Sequence, residues 1–243
     1  MKAEYQHLPE LEKSKTLNTF WVSSPKFDFH WHYHPQIEIT YVERGFGTRL
    51  IGDSVNAFEE GDFVLVGSNL PHTWISSEEF NTLEQDMKVA VLQFDDSLIN
   101  AQLMSTAEFS YVKRLINDSS RGISFNHKKN PEIVELLLKV LNGQGMEKYA
   151  SFFTLLDALG QSTNFHFITS AAYLPILNEA TETRIQTVCK FIHENFMQNL
   201  KLNHIAKLAN MNPSSFCRFF KKTTGQSLFE YINDLRISKA SNL

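Results

Sequence analysis

Residues 201–225 read KLNHIAKLANMNPSSFCRFFKKTTG, and this stretch decides the fold of the C-terminal part of the chain. Apolar residues recur in its first half at helical spacing and stop at 210–212, which predicts a short helix followed by a turn. Asn212 is a favourable N-cap, and Pro213 suits the first helical position, where a missing N–H costs nothing. The stretch therefore predicts two short helices joined by a tight turn.

The second predicted helix has one apolar and one polar face. Phe216, Phe219 and Phe220 follow the i, i+3, i+4 pattern and must face inward. The opposite stripe carries small residues followed by basic ones: Ser214, Cys217, Arg218 and Lys221. Small side chains let a helix approach base edges in the major groove, where an arginine can bind a guanine through two hydrogen bonds. The pattern fits a DNA-reading helix, and it also fits a plain helical hairpin with a solvated basic face.

A longer pattern, LxxIAxxAxxxPSxFxRFFKKxTGxSxxxYxxxxRxxxA over residues 202–240, resembles the DNA-binding domain of the AraC family of bacterial transcription regulators. The resemblance implies base contacts from Ser214, Cys217 and Arg218. The full set predicted to bind DNA is Ser214, Ser215, Cys217, Arg218, Lys221 and Lys222. That domain normally holds two helix-turn-helix units joined by a long helix. Because the sequence stops at Leu243, inside the expected joining helix, we expect only the first unit here.

Charge is distributed unevenly along the 243 residues, which can hold one large or two ordinary domains. From residue 180 onward, nine Lys and Arg face four Asp and Glu, whereas the rest of the chain carries 14 basic and 23 acidic residues. An acidic front and a basic tail indicate that only the tail meets nucleic acid.

The cysteines and the hydrophobic runs indicate a cellular location. Cys189 and Cys217 show neither disulfide nor CxxC spacing, which is typical of thiols in a reducing cytosol. The N-terminus lacks the apolar core of a signal peptide, and no run approaches a membrane span. We therefore expect a soluble cytoplasmic protein without a membrane partner.

Short alternating runs between Thr16 and Phe94 predict antiparallel strands of a small barrel or sandwich. Glycines mark the turns, and Gly52-Asp53 is a hairpin signal. In the run FDFHWHYH, residues 27–34, strict alternation would place the aromatic rings on one face and Asp28 with the three histidines on the other.

This region also holds candidate ligands for a metal ion. His32 and His34 lie two residues apart, so they point the same way on a strand; Glu38 follows, and His72 comes after the turn at Gly61. The spacing resembles the two signature motifs of the cupin barrel, with Gly45 closing the first motif. The resemblance implies that His32, His34, Glu38 and His72 bind a divalent ion such as Zn, Ni, Fe or Mn. The alternative is that the same four residues bind a small organic effector directly, with His30 at the rim.

Two apolar helices follow the predicted barrel. One is PEIVELLLKVLNG, residues 131–143, and the other runs from Met146 to about Gly160. Their apolar stripes either cover the outer face of the barrel or form a dimer interface. Because two DNA half-sites increase a modest affinity through effective concentration, we expect a homodimer.

The sequence therefore predicts an α+β fold: a cupin-like antiparallel barrel with flanking helices, followed by an all-α helix-turn-helix domain. The predicted boundaries are 1–160 for the effector and dimerisation domain, 161–181 for a linker, and 182–243 for the DNA-binding domain. The predicted function is a transcription regulator, not an enzyme, that senses a small-molecule effector such as a sugar and binds promoter DNA. The rival hypothesis is a metal-dependent cupin enzyme, an oxygenase or isomerase, with an accessory helical domain.

Overall fold

The structure is a computed structural model that describes residues 16–99, 101–173 and 179–241. The strands are β1 (Leu17–Ser24), β2 (Ile37–Arg44), β3 (Gly47–Ile51), β4 (Ser54–Phe58), β5 (Phe63–Val66), β6 (His72–Ser76), β7 (Met87–Phe94), β8 (Ile123–Phe125) and β9 (Phe165–Phe167). The helices are α1 (Glu78–Asn81), α2 (Ser110–Ser119), α3 (Pro131–Asn142), α4 (Gly145–Gln161), α5 (Glu179–Asn195), α6 (Leu202–Leu208), α7 (Pro213–Thr224) and α8 (Leu228–Ser241).

Two antiparallel sheets face each other and form the barrel. The larger sheet has the strand order β1-β7-β2-β5-β8-β9, and the smaller sheet has the order β4-β3-β6. Val42, Val64 and Val89 of the larger sheet share one buried cluster with Ile51 and Phe58 of the smaller sheet. The strands therefore enclose an interior, and the predicted α+β class with an N-terminal cupin-like barrel is confirmed.

The larger sheet is covered on both faces, and β2 shows how one strand serves both. Ile37 and Ile39 lie in a cluster with apolar residues of α3 and α4, such as Leu137 and Phe152. Glu38, between the two isoleucines, points into the barrel because successive side chains of a strand alternate. The apolar stripes of α3 and α4 thus pack on the outer face of the barrel, which is the first of the two arrangements that the sequence allows for them.

The helix-turn-helix is built by local capping. Asn210 adopts a left-handed φ of 54° after α6, and the N–H of Met211 donates to the carbonyl of Ala206 at 3.0 Å, which closes the helix in a Schellman motif. Asn212 then caps α7, because its side-chain oxygen accepts a hydrogen bond from the N–H of Ser215 at 2.9 Å. The predicted two-helix unit is confirmed, down to Asn212 as the N-cap of the second helix.

Packing around α7 follows the predicted faces. Phe216 and Phe220 are fully buried, and Phe219 is half-buried. The two cysteines are free thiols: Cys189 is buried in α5, and Cys217 is exposed on α7. None of the helices in the described ranges is both long and apolar enough to cross a membrane.

The helical domain docks on the outer face of the smaller sheet. Leu50 of β3, with Val55 and Ile75 of the neighbouring strands, belongs to the same apolar cluster as Tyr231 and Leu235 of α8. The smaller sheet is therefore also covered on both faces, by the barrel interior on one side and by the helical domain on the other. Burial of these apolar side chains is the main force available to hold the two domains together.

Two sequence predictions need correction. Residues 165–167 form β9 in the larger sheet and are not part of a linker over 161–181, because Phe165 packs beside Phe125 and against Phe167. The stretch 174–178 of that linker lies outside the described residues. Residues 27–34 do not form a regular strand. Their only ladder pairing among the described residues is the bridge between His32 and His72.

Gly225 offers a test of the docking. It ends α7 with a φ of 78°, and a Cβ built on it would lie 2.3 Å from the Cβ of Asp53 in the β3–β4 turn. Gly225→Ala should therefore combine left-handed backbone strain of about 1–2 kcal/mol with a clash across the domain interface. We expect a lower free energy of unfolding in urea and a loss of docking.

Gly145→Ala is the matched control for this substitution. Its φ is 53°, and nothing lies within 4 Å of a built Cβ, so the variant carries the backbone strain alone. If Gly225→Ala lowers the free energy of unfolding no more than Gly145→Ala does, the contact between Gly225 and Asp53 does not form in solution.

Candidate functional site

Four predicted ligands meet inside the barrel. His32 and His34 precede β2, Glu38 lies on β2, and His72 begins β6. The structure brings one ring nitrogen from each histidine within 4.8 Å of the others. Nε2 of His34 lies 3.1 Å from one carboxylate oxygen of Glu38, and Nε2 of His72 lies 3.8 Å from the other. The reciprocal backbone bonds between His32 and His72 fix this meeting point, because they fasten the histidine-rich segment to β6.

The backbone decides the tautomer of each imidazole. Nδ1 of His32 lies 2.8 Å from the carbonyl oxygen of His30, and Nδ1 of His72 lies 2.8 Å from that of Leu70. Nδ1 of His34 lies 3.0 Å from the carbonyl oxygen of Gln36. A carbonyl can only accept, so Nδ1 must carry the proton in all three rings. Nε2 of His32 and of His72 is therefore a lone-pair acceptor in the neutral ring. Nε2 of His34 lies 3.1 Å from a carboxylate oxygen of Glu38, and because a carboxylate can only accept, that contact is a hydrogen bond only when this Nε2 also carries a proton.

Neighbouring side chains hold the Glu38 carboxylate in place. The Thr40 hydroxyl donates to one oxygen at 2.7 Å, and the Gln93 amide donates to the other at 2.8 Å. The same Gln93 amide nitrogen lies 3.4 Å from Nε2 of His34. A carboxylate that binds a metal ion is typically hydrogen-bonded in this way by neighbouring groups that orient it.

The protonation states suit a cation. Burial lowers the pKa of His72 to about 4, and burial together with the charge of His72 lowers the pKa of His32 well below its ordinary value. Burial raises the pKa of Glu38, but the hydrogen bond from His34 and the charge of His72 outweigh it, so the pKa of this carboxyl ends below its usual range. At neutral pH the cluster therefore combines neutral imidazoles at His32 and His72 with an ionised carboxylate at Glu38.

The cluster fits a divalent metal ion. Nε2 of His72 is buried without a hydrogen-bond partner, although a buried polar atom left unpaired is costly. Nε2 atoms of three imidazoles and the Glu38 carboxylate point to one region, and a bound cation would take the place of the proton shared between His34 and Glu38. Nitrogen and oxygen donors in this combination suit Zn, Ni, Fe or Mn, so the residues present match the predicted group.

A cavity of about 350 Å³ adjoins the cluster. Apolar side chains form much of its wall: Phe20, Val22, Phe27, Trp74, Val89 and Val91. Polar groups line one part of it: His32, Glu38, Thr40, Thr73 and Gln93. Two of the buried groups facing the cavity have no hydrogen-bond partner, the indole Nε1 of Trp74 and the carbonyl Oε1 of Gln93. An apolar wall with a few unpaired polar atoms is typical of a site for a small organic molecule.

Sequence reasoning missed Gln93 and Thr40. Both were detectable in principle, because Gln93 is the polar residue on the face of β7 that also carries Val89 and Val91, and Thr40 shares a face of β2 with Glu38. A polar residue at an inward position of an apolar strand is such a signal. His30 is exposed beside the cavity, as expected for a rim residue.

The second candidate site is the outer face of α7. The structure places five of the six predicted DNA-binding residues in exposed positions: Ser214, Cys217, Arg218, Lys221 and Lys222. Ser215 is half-buried, and its N–H is bonded to the N-cap side chain. Docking on the barrel leaves this face open to solvent.

Two regions of the chain match known protein families. Residues 192–233 match the bacterial regulatory helix-turn-helix proteins of the AraC family. Residues 20–84 match the cupin domain. The first match contains α6 and α7, and the second contains all four cluster residues.

Two curated proteins align with the chain. An uncharacterised HTH-type transcriptional regulator, YbfI of Bacillus subtilis, is 21% identical over 215 residues, which cover 87% of this chain and 72% of that protein. The Msm operon regulatory protein of Streptococcus mutans is 32% identical over 72 residues, which cover 30% of this chain and 26% of that protein.

Among solved structures, ToxT of Vibrio cholerae with an unsaturated fatty acid bound is 13% identical. The alignment covers 94% of this chain and 81% of that chain, with a TM-score of 0.41.

The lowered pKa of His72 predicts an acid-sensitive cluster. Between pH ~6.5 and ~4 the unfolded chain binds a proton on His72 that the folded chain does not. The free energy of unfolding should therefore fall by up to about 1.4 kcal/mol for each pH unit by which the pH is lowered in this range. Gln cannot bind that proton, and His72→Gln should therefore make the pH dependence shallower. Urea unfolding at pH 7, 6 and 5 in the presence of a chelator measures the difference.

His30→Gln, on the exposed rim, controls for the substitution itself. If His72→Gln and the parent protein show the same pH slope, His72 does not titrate as a buried neutral imidazole.

Proposed function

We propose that this AraC-type regulator, in which a cupin domain precedes the helix-turn-helix, senses a divalent metal ion together with a small hydroxylated molecule and couples that signal to promoter binding. One observation carries the sensor half of the proposal. Three imidazoles have their Nδ1 protons fixed on backbone carbonyls, so that three Nε2 atoms converge beside the Glu38 carboxylate.

His32, His34, His72 and Glu38 would hold the ion. Gln93 and Thr40 would orient the carboxylate, and the carbonyls of His30, Gln36 and Leu70 would keep the rings turned toward the ion. When bound, a divalent ion would supply a positive charge that attracts the oxygen atoms of an effector in the adjoining cavity.

The cavity favours an effector with hydroxyl groups on a compact frame. The Nε1–H of Trp74 lacks a hydrogen-bond acceptor, and Oε1 of Gln93 lacks a hydrogen-bond donor. A hydroxyl group can serve in both roles, and the apolar walls suit a carbon skeleton. A sugar or a related hydroxylated metabolite meets these requirements.

The proposal is a sensor and not an enzyme, because the helix-turn-helix match and both curated relatives are regulators, and the cluster needs no reaction to explain its chemistry. It includes a cytoplasmic location and a homodimer, since two copies would present two α7 helices to paired half-sites. Catalytic turnover of a hydroxylated substrate by the metal-loaded protein would favour the enzyme hypothesis instead.

On the DNA side, α7 enters the major groove. Arg218 lies one turn beyond the small residue Ser214, so its guanidinium can bind O6 and N7 of a guanine. Lys221 and Lys222, at the C-terminal end of the helix, contact phosphates and fix the register of the helix on the duplex.

Removal of Arg218 should weaken specific binding more than non-specific binding. Arg218→Ala should cost about 1–3 kcal/mol on duplexes that the parent protein enriches from a random pool, and should relax the preference at one base pair. Lys222→Ala should weaken binding to all sequences. It should also reduce the slope of log affinity against log salt concentration by about one, because one fewer counterion is released. Fluorescence anisotropy at several salt concentrations measures both effects, and sedimentation equilibrium of the same samples gives the oligomeric state.

Lys128→Ala is the matched control, because it removes an exposed positive charge from the barrel domain instead of from α7. Equal losses of DNA affinity in Arg218→Ala and Lys128→Ala would mean that α7 does not read DNA.

Metal binding is tested directly with Co²⁺ and Zn²⁺. His72→Ala removes the acceptor that has no other partner and should lower Co²⁺ affinity by at least about 100-fold, whereas Gln93→Leu should lower it by about 10–100-fold because Glu38 loses an orienting donor. The visible absorption of bound Co²⁺ and calorimetric titration with Zn²⁺ provide the affinities.

His30→Ala should retain the parent affinity, because its exposed ring lies outside the cluster. If Co²⁺ binds the parent protein no more tightly than His72→Ala, the barrel holds no metal and the four residues contact the effector themselves.

A further inference from the structure

Residues 26–32, called here the shared segment, lie between the barrel interior and the helical domain. The segment is fastened to β6 at both ends. The N–H of Phe27 donates to the hydroxyl of Ser76, and the N–H of Ser76 donates to the carbonyl of Phe27. At the other end, His32 and His72 exchange two backbone hydrogen bonds. In the middle, the N–H of His30 donates to the hydroxyl of Thr73 at 3.2 Å. The segment is thus held at discrete points and lacks the continuous ladder of a strand.

Its side chains serve two different cores. Phe27 packs in the apolar cluster inside the barrel, and His32 belongs to the candidate metal cluster with His34 and His72. Phe29 and Trp31, the residues between them, pack against the apolar core of the helical domain. The Phe29 ring lies 5.1 Å from the ring of His193 in α5. One short piece of backbone therefore carries a barrel ligand and two anchors of the docked domain.

The segment also separates two cavities. Lys26 and Asp28 border both the barrel cavity and a cleft of about 330 Å³ between the two domains. Nζ of Lys26 lies 2.6 Å from a carboxylate oxygen of Asp28, so an ion pair lies on the part of the segment that borders both spaces. A change in the backbone of this segment would alter both spaces at once.

We infer that the shared segment transmits occupancy of the barrel to the docking of the helical domain. A ligand on Nε2 of His32 holds the segment in the arrangement that places Phe29 and Trp31 against the helical core, so occupancy tightens docking. Coupling of this kind is reciprocal, so loss of the aromatic anchors must also loosen the pairing of His32 with His72. The effect of a bound ligand on docking rests on the proposed metal site. The reciprocal half of the inference, the effect of the aromatic anchors on the His32–His72 pairing, does not.

The reciprocal half is tested on the full-length, metal-free chain by amide hydrogen exchange followed by NMR. Trp31→Ala and Phe29→Ala should each speed exchange of the His32 and His72 amides at least about 5-fold, the lower end of typical coupling. Phe191→Ala is the matched control: it removes a half-buried ring of the helical core that belongs to α5 and not to the segment, and it should change those amides by less than about 2-fold. Trp31→Leu, which retains apolar volume, replaces Trp31→Ala if the latter does not fold.

Unchanged protection of the His32 and His72 amides in the Trp31 and Phe29 variants would overturn the inference, and so would an equal effect of Phe191→Ala. Neither result depends on whether the barrel binds a metal.

Zn²⁺ provides the second arm of the experiment. In the parent protein it should slow exchange both at His72 and at α8 amides such as those of Tyr231 and Leu235; in Trp31→Ala it should slow exchange at His72 only. Protection of α8 that persists in Trp31→Ala, or protection of His72 without α8 in the parent, would overturn the inference. Absence of protection at His72 would refute the metal site, and the metal-free comparison would then decide the coupling alone.

Discussion

Three backbone carbonyls, those of His30, Gln36 and Leu70, each accept the Nδ1 proton of a neighbouring histidine. This constraint turns Nε2 of all three rings toward one point beside the Glu38 carboxylate, which makes that point a favourable position for a cation. Each carbonyl lies two residues from its histidine, so the orientation of the rings is set locally. Their convergence is not local, because it needs the bridge between His32 and His72 to hold two distant parts of the chain together.

The barrel occupies the middle of a layered arrangement. Helices α3 and α4 cover the larger sheet, the helical domain covers the smaller sheet, and the cavity lies between the sheets. Few polar groups can enter such an interior without cost, so the polar residues found there, such as Glu38 and Gln93, are bonded to one another. The atoms that stay unpaired, Nε2 of His72 and Nε1 of Trp74 among them, are the ones a ligand can satisfy. Residues 26–32 border both the cavity and the core of the helical domain.

Prediction from sequence was most successful where structure is local. The helix-turn-helix was readable because capping by Asn212, the proline at the first helical position and the spacing of Phe216 and Phe220 act within a few residues. The β3–β4 hairpin was readable for the same reason, since Gly52 adopts the left-handed φ of 58° that its turn needs. Prediction is weaker where pairing partners are distant: the sequence does not show that 165–167 pair as β9, or that 27–34 lack a continuous strand ladder.

The sequence by itself determined the two domain types, the order of the candidate ligands and the polar face of α7, because motif spacing and side-chain periodicity are properties of short stretches. Only the tertiary structure decided that Gln93 and Thr40 hold Glu38, that α3 and α4 cover the barrel, and that Phe29 and Trp31 face the helical domain. The physical reason is that these contacts join residues far apart in the chain. Which partner an inward or outward side chain meets depends on how whole sheets and helices bury their apolar faces, and that choice is made by the packing of the complete chain.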